Sequence, residues 1–189
     1  RGIRGVVIRL AGEFMQAEVK GNELIAGSAC PISLLLRLSI QHNLSGLEFA
    51  IGLPGSLGGA VYMNAGSRDV GIGSLVKEVH LVCPDGSYKI RSRENLHFSY
   101  RHSSLKDGEI ITRIVLKLRE GGRKEELLFK MKEGYAYRVS HQPLREKSAG
   151  CIFKNPHGGL AGELIDLAGL KGFSIGDAQV SPIYANFFI

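Results

Sequence analysis

The sequence predicts an α+β fold in two parts, and three observations carry that expectation. Strand-like stretches, one helical stripe, more strands and then a helix-rich tail succeed each other without regular alternation, so a doubly wound parallel sheet is not expected. A polar, glycine-containing joint at residues 120–124 separates the strand-rich region from the tail. The 189 residues, 44% hydrophobic and 22% charged, have the balance of a globular chain with a real core. The expected division is residues 1–120 and 121–189.

The elements follow in order. Residues 5–10 and 17–26 have strand composition, and Gly21-Asn22 supplies a hairpin turn inside the second stretch. Pro31 suits the first position of a helix whose stripe is Ile32, Leu35, Leu36 and Ile40, ending near residues 43–46. A glycine-rich segment occupies residues 46–66. Residues 76–83 and 87–90 form a second hairpin around Pro84-Asp85-Gly86. Residues 110–118 read as a strand, with Ile114, Leu116 and Leu118 on one face. Past the joint, Leu127, Leu128 and Met131 mark one side of a helix, and a shorter helix at residues 160–168 is punctuated by Gly169 and Gly172.

The net charge of +6 suits an anionic ligand. The basic residues are scattered, with Arg1, Arg4 and Arg9 near the start and Arg119, Arg123 and Lys124 in the joint. No basic stripe or aromatic stacking motif marks a nucleic-acid partner, so none is expected. No apolar run spans a bilayer, and no membrane partner is expected. Cys30, Cys83 and Cys151 are odd in number, and no metal-ligand spacing joins a cysteine to a histidine. A reducing, cytoplasmic setting and no metal are therefore expected. Arg1 does not look like a natural start and Ile189 ends inside an apolar run, so the chain reads as shortened at both ends.

Chemistry concentrates in residues 46–66, where six glycines allow positive φ and close backbone approach. Successive amides in such turns form concave nests that suit a pyrophosphate. The segment lacks both the Gly-Lys-Ser/Thr ending of a P-loop and the GxGxxG spacing of a dinucleotide-binding turn. From glycines alone, close packing and ligand binding stand level.

The residues themselves tip the balance. The run Gly52-Leu-Pro54-Gly55-Ser56-Leu-Gly58-Gly59, continuing to Asn64-Ala65-Gly66, resembles the flavin signature of the UDP-N-acetylenolpyruvoylglucosamine reductases, the MurB family. The resemblance continues in order through Phe98-Ser99-Tyr100-Arg101-His102-Ser103, Gln142-Pro143-Leu144 and Gly150-Cys151-Ile152-Phe153-Lys154-Asn155-Pro156. It extends through Ala161-Gly162-Glu163 and Ala185-Asn186-Phe187.

That resemblance implies a two-part FAD-binding module, PCMH/vanillyl-alcohol-oxidase-like, followed by a small α+β substrate domain. It implies FAD and NADPH as cofactors and a UDP-sugar as small-molecule partner. No oligomeric state can be read from the residues, and a monomer is expected. Gly52, Pro54, Gly55, Ser56, Gly58, Gly59, Asn64, Ala65 and Gly66 would line the flavin. Tyr100 and Asn155 would touch substrate. Arg101 would stabilise an enolate, as a permanently charged guanidinium can. Cys151 stands where the family usually has serine and would donate a proton, being mostly protonated at neutral pH with an ordinary pKa of about 8.5. A further phosphate loop upstream and a catalytic glutamate downstream belong to the family pattern but not to this chain, and the Arg101–Cys151 separation resembles the shorter-loop subclass. Glu163 is expected to decorate a helix surface. Two alternatives stand beside this reading: an inactive nucleotide-sugar- or flavin-binding homologue, and another FAD-linked oxidoreductase of the superfamily.

Overall fold

The computed structural model describes residues 2–67 and 70–189. Its first strands are β1 (Ala17–Lys20) and β2 (Glu23–Gly27), joined by the expected turn, where Gly21 takes φ +59°. Their register sets Val19 opposite Leu24. Residues 5–10 form no strand, contrary to their composition. Val6 is 90% exposed, and no ladder partner pairs with this stretch among the described residues. Strand composition alone is insufficient, because an extended segment must complete its backbone hydrogen bonds against a neighbour.

Pro31 precedes α1 (Ile32–Gln41) as its cap, one position earlier than expected, with φ −65°. The stripe buries Ile32, Leu35 and Leu36 completely or nearly so, and Ile40 in part. Ser39 also lies in the interior, where its hydroxyl donates to the Leu36 carbonyl at 2.8 Å. The glycine-rich segment then forms the short α2 (Leu57–Tyr62). Next come the two-residue strands β3 (Gly66–Ser67) and β4 (Val70–Gly71).

The second expected hairpin pairs β5 (Val76–Val82) with β6 (Tyr88–Ser92). Asp85 fixes its turn, accepting from the Ser87 hydroxyl at 2.6 Å and the Ser87 amide at 2.9 Å. Those bonds favour the carboxylate and hold its pKa below the usual value. A tight pair, β7 (Phe98–Ser99) and β8 (His102–Ser103), precedes β9 (Ile110–Lys117).

The main sheet has the order β1-β2-β9-β5-β6, antiparallel throughout, so the last strand in sequence lies in its centre. That position explains its composition. Ile114 and Leu116 are fully buried on one face, and Val115 on the other is 5% exposed. Leu24, Leu35, Leu57 and Leu81 join Ile114 and Leu116 in the same core. Each such side chain stabilises the fold by about 1.5–3 kcal/mol relative to exposure.

Helix α3 (Lys124–His141) begins after the joint, with Glu125 and Glu126 in its first turn and Arg138 and His141 in its last. That arrangement complements the helix dipole. Leu127 and Met131 are buried as expected, but Leu128 is 46% exposed. The covered stripe is only as wide as an i, i+4 pair, and the next residue lies about 100° round the helix. Contacts divide the chain into Arg1–Met131 and Lys132–Ile189, within α3. The expected boundary at 120/121 falls at the joint before that helix.

The second unit holds α4 (Ala161–Leu167), then β10 (Ser174–Ile175) paired with β11 (Ala178–Gln179). Gly176, with φ +58°, makes their turn. Single bridges join Cys151 to Phe187 and Val180 to Phe188.

Candidate functional site

The glycine-rich segment divides its amides between two tasks. Leu57 donates to the Cys30 carbonyl at 2.9 Å and Gly58 to Ser28 at 2.7 Å, which pins the start of α2 to the chain after β2. Gly58 is buried there, and a Cβ on it would meet the Ser28 side chain at 2.8 Å. Ile51, Leu53 and Ala60 also donate to nearby carbonyls. The amides of Gly52, Gly55, Ser56 and Gly59 make no hydrogen bond among the described residues. Gly52, Pro54, Gly55 and Gly59 are exposed, and Ser56 is half-buried. One face of the segment is therefore anchored while another offers donors outward. Such an arrangement can receive an anion.

Asn64 ends this segment with φ +43°. Its Oδ1 accepts from the Gly73 amide at 2.9 Å, and its Nδ2 donates to the Ser99 carbonyl at 2.8 Å. Ala65 donates to Ala60 and accepts from Ile72. Gly66 presents its carbonyl to both terminal nitrogens of Arg101, each at 3.4 Å.

Arg101 lies in the two-residue connection of the β7–β8 pair, where Ser99 faces His102. Its φ of +53° is left-handed, a conformation that costs a non-glycine residue about 1–2 kcal/mol. Its guanidinium carbon sits 5.5 Å from the centre of the Tyr100 ring, within reach of a cation–π attraction. Tyr100 itself is 52% exposed. Ser103 secures the hairpin by donating to the Tyr62 carbonyl at 2.7 Å. The Tyr62 phenol donates to Asp107 at 2.8 Å, and that bond pushes its pKa up. Two stretches that are 35 residues apart in sequence thus meet at Gly66 and Arg101.

In the second unit Cys151 is exposed. Its strand bridge to Phe187 is extended by Asn186, which is 1% exposed. The Ile152 amide donates to the Asn186 carbonyl at 2.9 Å. The Asn186 side chain accepts from the Phe153 amide at 2.9 Å and donates to the Phe153 carbonyl at 2.8 Å. A buried amide with both ends satisfied holds the backbone beside Cys151 in one place. Asn155 accepts from the Ala161 amide at 3.1 Å, using its side-chain oxygen at the first turn of α4. Glu163 is exposed on α4, as expected.

Sequence reasoning assigned no role to Asn186, Gly71 or Gly73. Asn186 stood in a matched motif, but nothing in its neighbours foretells which distant amide it would clasp. The other cysteines offer no chemistry. Both are buried, and burial pushes the Cys30 thiol up to about 11. A cavity of about 520 Å³ lies in the first unit, lined by Phe14, Gln16, Ala17, Tyr88, Thr112 and Arg113 with their neighbours. None of the expected site residues lines it. Among the described residues no cluster of histidine, cysteine or carboxylate suits a metal ion. No helix among them is long and apolar enough to cross a membrane.

Comparison with known proteins bears on the whole chain. The C-terminal domain of UDP-N-acetylenolpyruvoylglucosamine reductase matches residues 142–189. The UDP-N-acetylenolpyruvoylglucosamine reductase of Heliobacterium modesticaldum is 44% identical over 191 residues, covering all of this chain and 60% of that protein. Its counterparts in Caulobacter vibrioides and Bacillus subtilis are 42% and 39% identical, with 63% and 62% of their lengths covered. This chain thus spans about three fifths of the curated relatives it matches. The crystal structure of UDP-N-acetylenolpyruvylglucosamine reductase (MurB) from Thermus caldophilus superposes with a TM-score of 0.90 at 44% identity, covering all of this chain and 68% of that one. With the same α+β fold and this identity along its full length, the chain belongs to the UDP-N-acetylenolpyruvoylglucosamine reductase (MurB) family.

Proposed function

We propose that this chain is the flavin- and substrate-handling part of a reductase that converts UDP-N-acetylglucosamine enolpyruvate to UDP-N-acetylmuramate for peptidoglycan synthesis. The observation that carries the reading is the tether of Arg101 to Gly66, which joins the family's arginine motif to its glycine-rich motif. The outward amides of Gly52, Gly55, Ser56 and Gly59 fit the pyrophosphate of FAD, with Ala65 and Gly66 beside them. When bound, FAD supplies hydride to the enolpyruvyl group and is itself replenished by NADPH.

The chain's own residues do the rest. Arg101 holds the substrate carboxylate and the enolate charge that develops beside it. It needs no reorganisation, because its backbone and guanidinium are already fixed. Tyr100, whose ring centre lies 5.5 Å from the Arg101 guanidinium carbon, supports that arginine and touches the substrate, and Asn155 steadies the diphosphate. Cys151 then delivers its Sγ proton to the carbon bearing the carboxylate. The buried Asn186 clasp holds the Cys151 strand steady for that transfer. On this reading the protein works in the cytoplasm as a monomer and needs no metal.

The test uses the full-length protein. It should purify yellow and oxidise NADPH only when the enolpyruvyl sugar is present. A colourless protein that cannot take up FAD would sink the proposal. A yellow protein inert toward the sugar would favour a binding homologue.

A further inference from the structure

We infer that Asn64 is a positioning residue for Arg101: its side chain sets the left-handed arginine hairpin and is not available to a ligand. The inference rests on the function proposed above for the meaning of Arg101, though not for the geometry. Both ends of the Asn64 amide are committed within the protein, Oδ1 to the Gly73 amide and Nδ2 to the Ser99 carbonyl. Ser99 is the residue that enters the Tyr100-Arg101 connection. One side chain therefore spans the end of the glycine-rich segment, the chain after β4 and the hairpin carrying the guanidinium.

Two absent side chains make this span possible. A Cβ on Gly71 would lie 2.3 Å from Asn64 Oδ1, and one on Gly73 would lie 2.3 Å from the Phe98 ring. The asparagine and the hairpin thus close on Gly71-Ile72-Gly73 from two sides. At the far end, Gly66 receives the guanidinium itself. Asn64 fixes where the hairpin starts, and Gly66 fixes where its charge points. Backbone strain at Arg101 needs such over-determination, because an unsupported arginine would relax out of φ +53°.

Two substitutions in the full-length protein test this. Asn64→Gly removes both bonds without backbone strain at φ +43°. Asn64→Asp keeps an acceptor for Gly73 and loses the donor to Ser99. Both should lower kcat for substrate reduction by about ten- to hundred-fold, the scale of a small misplacement of a catalytic group. Flavin content and the rate of flavin reduction by NADPH should stay within about two-fold, and KM should change less than kcat.

An independent readout is NMR on arginine-labelled protein, where the left-handed Arg101 signature should be lost in both variants. Loss of flavin, or a parallel fall of both half-reactions with the unfolding midpoint, would overturn the assignment in favour of a cofactor or purely structural role. An unchanged Arg101 signature would overturn it as well. If the parent protein proves not to be a flavoenzyme, the NMR comparison still decides whether the tether exists.

Discussion

The two units hold the residues proposed for catalysis by opposite means. Arg101 stands on a unit built round a continuous apolar core, in which Leu24, Leu35, Leu57, Ile114 and Leu116 are fully buried. Cys151 stands on a unit with few buried side chains, where Ser181 and Asn186 are as deeply enclosed as Ala185. Around them Phe153, Leu164, Phe173 and Ile175 are each more than half exposed. Hydrophobic burial is non-directional, so it can support a hairpin but not aim it. Aiming is left to polar clasps in both units: Asn64 for the arginine and Asn186 for the cysteine strand. The lesson is that the first unit separates stability from positioning, while the second asks the same asparagine to do both.

Substitutions can break or sharpen that contrast, beginning with those that remove chemistry. Cys151→Ala should slow substrate reduction by about 10²–10⁴-fold while leaving flavin reduction intact. Cys151→Ser, which restores a hydroxyl donor, should recover most of the rate. Equal performance of the alanine variant in both half-reactions would take Cys151 out of the mechanism.

Arg101→Gly should cost about 10²–10³-fold in the same step. Its unfolding midpoint should hold or rise, because glycine relieves the left-handed strain. A large loss of stability in that variant would mean the guanidinium is a structural strut.

Stability comes next in size. Leu116→Ala, deep in the central strand, should destabilise the first unit by about 2–5 kcal/mol in denaturant titration. Asn186→Ala removes a buried side chain that pairs the partly buried Phe153 amide and carbonyl, and should cost about 1–3 kcal/mol. It should also slow the Cys151 step without touching flavin reduction. If Asn186→Ala proved harmless, the polar-clasp account of the second unit would be wrong.

The smallest effect is a pH dependence at Cys30. Its folded pKa is raised from 9.0 to about 11 by burial, so the folded state holds the proton more tightly than the unfolded chain. The stabilising contribution is complete below about pH 9 and is lost as pH rises towards about 11. Stability measured across that window should fall less steeply in Cys30→Ala. Alkylation should mark exposed Cys151 first and leave buried Cys30 and Cys83 until unfolding.

Much of the fold was legible because its signals are local. Gly21-Asn22 and Pro84-Asp85-Gly86 each place a turn between strands, and the Ile32-Leu35-Leu36 stripe marks a helix by spacing alone. Residues 5–10 failed where the local signal is incomplete, since a strand requires a partner that no pattern within it specifies. Leu128 failed for a related reason: periodicity gives the side of a helix, but only packing decides how wide the covered stripe is.

For the site, the sequence by itself determined which chemistries were at hand: a permanent cation at Arg101, a thiol at Cys151, and a turn rich in backbone donors. Tertiary structure alone decided which of those donors remain free, since Leu57 and Gly58 are claimed by Cys30 and Ser28 while Gly55 and Gly59 are not. It alone brought Asn64 to Ser99 and Arg101 to Gly66. The reason is that a residue's chemistry travels with its own atoms, whereas hydrogen-bond partners distant in sequence exist only once the chain has closed on itself.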